Sequence, residues 1–344
     1  MNKRTYIVAG YVSGDKLQEV TAEDCRKLTH LNIAFGHVRE DAICVEHLGH
    51  LGHLQLLKRD HPELKILLSV GGWSAGGFSE AASTEAGRAR MAEAALRILR
   101  EHPFDGIDLD WEYPCYGVAG IAASPNDKKN FTLLIQTMRE ALDQHGTLEG
   151  RHYLLTIAAG ADSYYVDGTE MHEVQRYLDF VQLMTYDMRG GFQNLTGHHT
   201  NLYTPTGDLF RISVEASVEL FIRAGVPREK LVIGAAFYSR IWKGVPDRNQ
   251  GLYQMAETTG GYGPDFTELV AAYIGKNGYT RHWDEEACAP FLFNGNSLIS
   301  YDDEESIRHK CGFINNNGLA GIMFWEYSCD GTHRLLTTMH DNLT

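Results

Sequence analysis

Short apolar runs rich in β-branched and aromatic residues recur along the chain, separated by longer stretches of mixed character. They fall at 5–12 (TYIVAGYV), 30–35 (HLNIAF), 65–70 (KILLSV), 106–112 (GIDLDWE), 153–159 (YLLTIAA), 180–185 (FVQLMT), 231–237 (LVIGAAF) and 321–325 (GIMFW). Several are apolar at consecutive positions, which marks strands buried on both faces, as in a parallel sheet. The intervening stretches carry helical spacing. Phe131, Leu134, Ile135, Met138, Ala141 and Leu142 form one apolar stripe. Ser124 is the expected N-cap of that helix, Pro125 its first residue and Gly146 its close. Further helices are predicted over about 84–101 and 213–224, and from near Asp303 to just before Asn315. Eight strands alternating with helices predict a (β/α)8 barrel.

One connection is too long for a simple loop. The roughly 65 residues after the seventh run are rich in glycine and aromatics, and a connection of that length needs structure of its own. The chain is therefore expected to divide into a barrel, 1–237 with 301–344, and an inserted subdomain, 238–300, on the barrel rim.

The run at 106–112 departs from the others because Asp108, Asp110 and Glu112 interrupt it at alternate positions. Strand side chains alternate between faces, so these three acids share one face and Ile107, Leu109 and Trp111 the other. In a barrel the acidic face points to the lumen and the apolar face to the helices. Acids two residues apart along a strand stand roughly 6–7 Å apart. At that spacing in a low-dielectric centre they resist simultaneous ionisation, so one proton is retained near neutral pH. Retained on Glu112, at the strand's C-terminal end, it makes a general acid where barrel enzymes do their chemistry. Asp105 has the opposite parity and is assigned to structural pairing. A calcium loop is excluded because the turn glycine and the odd-position oxygen ligands are missing. A carboxylate metal site lacks an inward histidine, and no metal or cofactor is expected.

Composition narrows the partners. The 344 residues carry a net charge of −14, which argues against nucleic acid or an anionic membrane and suits a neutral substrate. No stretch reaches the roughly 20 apolar residues of a membrane span. Lys3 and Arg4 precede too short an apolar run for a secretory signal. The protein is expected to be a monomer, either cytoplasmic or secreted after a signal is removed. The six cysteines show no paired spacing and read as free thiols. His47, His50 and His53 recur every third residue and read as a solvated helix face rather than a metal clamp. Asn130, Asn194 and Asn342 begin N-x-T sequons.

Asp105-Gly-Ile-Asp108-Leu-Asp110-Trp-Glu112 resembles the D-G-x-D-x-D-x-E signature of family 18 glycoside hydrolases, the chitinase family. Other segments resemble that family in the same order: Ser69, Gly71, Gly72 and Trp73 in SVGGW; Met184, Tyr186 and Asp187 in MTYD; FYSRIW, where Ser239 replaces the family's glycine; and GIMFW ending at Trp325. The resemblance implies retaining hydrolysis of β-1,4-linked N-acetylglucosamine in chitin or chito-oligosaccharides, with the substrate's 2-acetamido oxygen as nucleophile and an oxazolinium intermediate. It implies that Glu112 protonates the glycosidic oxygen and that Asp110 orients the acetamido N–H. It also implies that Asp108 shares a proton with Asp110, that Tyr186 bonds the acetamido oxygen, and that Asp187 binds the same sugar. Stacking faces are expected from Tyr11, Phe35, Trp73, Tyr113, Trp242 and Trp325, and Arg240 is placed near the pocket. A lectin on the same fold would lack the acid at Glu112. A hydrolase of glycoprotein or cell-wall glycans, and a metal-dependent deacetylase, are the competing enzyme readings.

Overall fold

In the computed structural model, residues 6–343 are described, so Thr5 of the first predicted strand, with Lys3 and Arg4, lies outside them. The chain forms strands β1 (Ile7–Ser13), β2 (His30–Arg39), β3 (Ala42–Cys44), β4 (Lys65–Gly71), β5 (Gly106–Asp110), β6 (Leu154–Gly160), β7 (Phe180–Met184) and β8 (Leu231–Ala236), then β9 to β13, and finally β14 (Gly321–Trp325). Parallel pairing runs β1-β14-β8-β7-β6-β5-β4-β2 and closes through β1 with β2. This is a (β/α)8 barrel. Strand β3 is a short hairpin return on β2 and stands outside the ring.

The alternation on β5 sets the two layers of the core. Ile107, Leu109 and Trp111 are buried among the helices. Trp111 stacks on Phe78 at 5.3 Å and meets Phe131 edge-on at 5.8 Å. Met91, Ala95 and Ile98 of the helix Glu85–Glu101, and Leu134, Ile135 and Met138 of the helix Asp127–Glu149, fill the same shell. Each such fully buried aliphatic or aromatic side chain stabilises the fold by about 1.5–3 kcal/mol relative to exposure. The lumen is polar instead. Asn32 donates to Gln182 at 3.0 Å, and both are fully buried beside Asp108.

Helix ends differ from expectation at three points. The second of these helices begins at Asp127, whose buried carboxylate accepts from Ser79 Oγ and the Ser124 N–H; Ser124 and Pro125 form the preceding turn. It runs through Gly146 to Gly150, which takes the left-handed φ of 69°. Gly146 is needed for another reason: a Cβ there would lie 2.3 Å from the Arg151 carbonyl oxygen. The helix capped by Asp303 spans Glu304–Asn317, so the three asparagines continue it and Gly318 ends it. The helix predicted over about 213–224 spans Val214–Arg223, and the Ser213 side chain caps it by accepting the Ala216 N–H. Only His53 of the three spaced histidines begins a helix; His47 sits in a turn and contacts the Phe35 carbonyl at 2.9 Å. Cys25, Cys44, Cys115, Cys288, Cys311 and Cys329 are all unpaired. No helix among the described residues is long and apolar enough to cross a membrane.

After β8 the chain builds a separate antiparallel sheet, ordered β10-β9-β13-β12-β11, from β9 (Tyr238–Lys243), β10 (Gly261–Asp265), β11 (Thr280–Asp284), β12 (Ala289–Phe293) and β13 (Ser297–Ser300). Trp242, Val245, Leu252, Phe291 and Leu298 form its own small core. Thr196, in the loop after β7, bonds Gly251 O and Gln254 N, tying that loop to the sheet.

Candidate active site

The C-terminal ends of the barrel strands open into a cavity of about 1120 Å³. Its lining includes Tyr11, Phe35, Gly71, Gly72, Trp73, Asp110, Glu112, Tyr113, Met184, Tyr186, Asp187, Arg240 and Trp325. The structure thus brings together the residues the sequence assigned to chemistry or substrate, apart from Asp108, which lies one layer deeper, and Trp242, which is buried in the inserted sheet. Ser69 lies in that layer too, and Asp105 is at the opposite end of β5.

The acids of β5 have different surroundings. Asp105 is ion-paired to Lys58 and Arg151, at 2.8 Å each, and accepts the Ile66 N–H. Among the described residues Asp108 meets no cation, but four donors take up its oxygens: Tyr11 Oη at 2.9 Å and Ser69 Oγ at 2.7 Å on one, Thr156 Oγ1 at 2.7 Å and Gln182 Nε2 at 3.0 Å on the other. Burial raises the Asp108 pKa, and those four bonds oppose the rise. Asp110 is 4% exposed, and its buried Oδ1 has no partner among the described residues. No hydrogen bond joins it to Asp108, so the expected shared proton has no bridge here. Burial first, then the charges of Glu112 and Asp108, push Asp110 well above the carboxylate range. Glu112 is raised to about 7, chiefly by burial, with Asp187 adding to the rise and a Tyr113 hydrogen bond opposing it.

Gly71 sets the height of this group. Its φ is +123°, and a Cβ would lie 2.0 Å from the Asp110 carbonyl oxygen. Only glycine lets the two strand tops close to this distance. The Gly72 N–H bonds the same carbonyl at 3.0 Å, and Trp73 is carried over the cleft, half exposed and 6.2 Å from Phe192. At the floor Trp325 stacks on Phe35 at 5.3 Å with 17° between the rings, and tilts against Tyr11 at 5.8 Å. Among the described residues the Tyr186 hydroxyl has only a 3.8 Å contact with the Met323 sulfur, which leaves it largely unspent. Asp187 is strongly committed: it holds Arg240 at 2.7 and 2.5 Å and accepts Tyr238 Oη at 2.7 Å. Burial would raise its pKa, but His199 and Arg240 outweigh that and hold it well below the carboxylate range.

Two outcomes run against the sequence reading. Trp242 is fully buried in the inserted sheet, its N–H bonded to Gln193 O, with Gly260 backbone packed on the ring. It offers the cleft no face. Conversely, Thr156, Gln182, His37, Tyr164, Phe192, Tyr238 and Tyr262 belong to the site or its support and were missed. Thr156 and Gln182 carried a signal, being polar residues inside otherwise apolar strands.

Comparison with known proteins agrees with this geometry. The profile of Glycosyl hydrolases family 18 matches residues 7–330. The chain is 40% identical over 312 residues to Chitinase A1 of Niallia circulans, covering 86% of this chain and 45% of that protein. It is 33% identical over 337 residues to Chitotriosidase-1 of Mus musculus, covering 92% of this chain and 72% of that one. The solved structure of an N-acetylglucosaminidase from Paenibacillus barengoltzii superposes with a TM-score of 0.98 at 71% identity, covering 98% of this chain and all of that one. The chain thus spans less than half the length of the first of these relatives.

Proposed function

The chain belongs to glycosyl hydrolases family 18, and from that membership we propose that it hydrolyses β-1,4-linked N-acetylglucosamine oligomers and polymers with retention, using the substrate's acetamido group as nucleophile. The observation that carries this reading is the pair Asp110 and Glu112: two carboxyls lining the cavity whose burial raises their pKa, the first with a buried oxygen that has no hydrogen-bond partner among the described residues.

The sugar to be cleaved lies on Trp325. Glu112, titrating at about 7, retains a proton at mildly acidic pH and gives it to the glycosidic oxygen. The leaving sugar departs toward Trp73. The acetamido carbonyl oxygen attacks the anomeric carbon, and an oxazolinium ring forms as the glycosidic bond breaks. The acetamido N–H takes the vacant acceptor on Asp110; this donor lowers the Asp110 pKa, the carboxyl releases its proton to solvent as the substrate seats, and the resulting carboxylate stabilises the cationic ring. Tyr186 donates its unspent hydroxyl to the acetamido oxygen and fixes the angle of attack. Glu112, now a carboxylate, takes a proton from water as the ring opens, which restores the original configuration and the acid. Asp108 and its four donors hold the base of this row, and Asp187 with Arg240 shapes the rim. Residues 238–300 act as an inserted subdomain that walls one side of the cleft. No cofactor enters the scheme.

A second reading concerns where the chain is cut. The N-acetylglucosaminidase at 71% identity favours release of single sugars over internal cutting. Product analysis from a defined chitohexaose decides between them: monosaccharide from the first turnovers supports terminal release, and mixed oligomers support internal cleavage. The role of the acids is tested by Glu112→Gln, which should abolish turnover while leaving oligosaccharide binding; a near-normal rate would refute it.

A further inference from the structure

The active-site cavity does not stop at Trp325. A second cavity of about 650 Å³ shares Phe35, His37, Tyr238, Tyr262 and Trp325 with it. In the scheme proposed above, Glu112 fixes the scissile bond and Trp73 takes the leaving-group side. The shared wall past Phe35 therefore faces the non-reducing extension of the substrate. His37 stands at that junction, on the part of β2 that rises above the barrel rim.

Its ring is built in. It stacks on His47 at 4.2 Å with 11° between the planes. His47 is itself anchored, its Nε2 lying 2.9 Å from the Phe35 carbonyl oxygen, so that nitrogen carries the proton. His37 has no such anchor, and neither ring nitrogen has a hydrogen-bond partner among the described residues. Burial, the neighbouring His47 and Arg39 all lower its pKa, so the ring is neutral and offers one N–H donor and one lone pair. A sugar edge presents hydroxyls and amides that use both.

We propose that His37, oriented by His47, is a specificity-determining residue that hydrogen-bonds the sugar on the non-reducing side of the reacting one. The inference rests on the hydrolase reading above and adds to it a residue that selects for substrates with more than one sugar before the cleaved bond. Such a bond, lost in a partly exposed site, changes binding by about 5–10-fold.

The test compares 4-nitrophenyl glycosides of N-acetylglucosamine, chitobiose and chitotriose on the full chain. The ratio of kcat/KM for the chitobioside to that for the monosaccharide glycoside should fall about 5–10-fold in His37→Ala. It should recover in part in His37→Asn, and fall less in His47→Ala, where only orientation is lost. An unchanged ratio, or equal losses on every substrate, would overturn the assignment. Failure of the wild-type protein to cleave any of the three would instead sink the hydrolase reading, so the two failures are told apart in one experiment.

Discussion

The two ends of β5 treat the same functional group in opposite ways. At the base, Asp105 is met by Lys58, Arg151 and the Ile66 N–H. At the top, Asp110 has an empty acceptor, and Glu112 is pushed up to about 7. Asp108, between them, is satisfied by four neutral donors. The strand grades from charge compensated by cations, through charge solvated by hydroxyls and an amide, to charge left without support. An unsupported buried carboxyl costs stability unless it is protonated. Protein chemistry tolerates that cost where a ligand can supply the missing donor, and here the missing donor is an amide N–H.

The contrast can be broken most sharply at the top. Glu112→Gln should lower kcat by about 10³-fold or more, the upper range for loss of a positioned general acid, with KM changed little; steady-state kinetics on a chromogenic chitobioside reads this. Asp110→Asn should cost about 10²-fold in kcat, because an amide oxygen still accepts the N–H but carries no charge to stabilise the ring. At the base the effect should move from rate to stability. Asp105→Asn leaves Lys58 and the half-exposed Arg151 without their anion, and should cost about 2–3 kcal/mol in denaturant unfolding while leaving kcat at 25 °C unaltered. A loss of rate without a loss of stability in this variant would erase the distinction between the two ends.

Acidity sharpens the same comparison. Glu112 must be protonated to act, so kcat/KM should fall by about tenfold per pH unit as pH rises above about 7. Its folded pKa lies above the unfolded value of about 4.3. Folding therefore takes up a proton between these values, and stability declines as pH rises from about 4.5 to 7, then levels off. Glu112→Gln removes that decline. The variant should melt above the wild type at pH 8, by on the order of 1 kcal/mol, and level with it at pH 4.5. Differential scanning calorimetry at the two pH values checks the smallest of these effects.

Much of this was legible in the chain. Each barrel strand lies within two residues of its apolar run, because strands buried on both faces leave a continuous signal, except that β2 runs four residues past its run to Arg39. The row of acids was legible because charge inside such a run has few explanations. The cleft walls were not. Phe192, Tyr238, Tyr262 and His37 sit on segments above the barrel, where no period tells which way a side chain points. Trp242 shows the limit directly: it shares a strand and a parity with Arg240, yet lies far enough along β9 to enter the core of the inserted sheet. The helix ends slipped for a related reason. Gly146 looked like a terminus, but it is small because another segment, at Arg151, passes close by.

The central claim is that the acetamido group of the substrate does the attacking, received by Asp110. The most direct test is the wild-type rate on matched 4-nitrophenyl chitobioside and cellobioside, which share the linkage and differ in the 2-substituent. The account predicts rapid release from the chitobioside and none measurable above background from the cellobioside. Comparable rates on the two would contradict it.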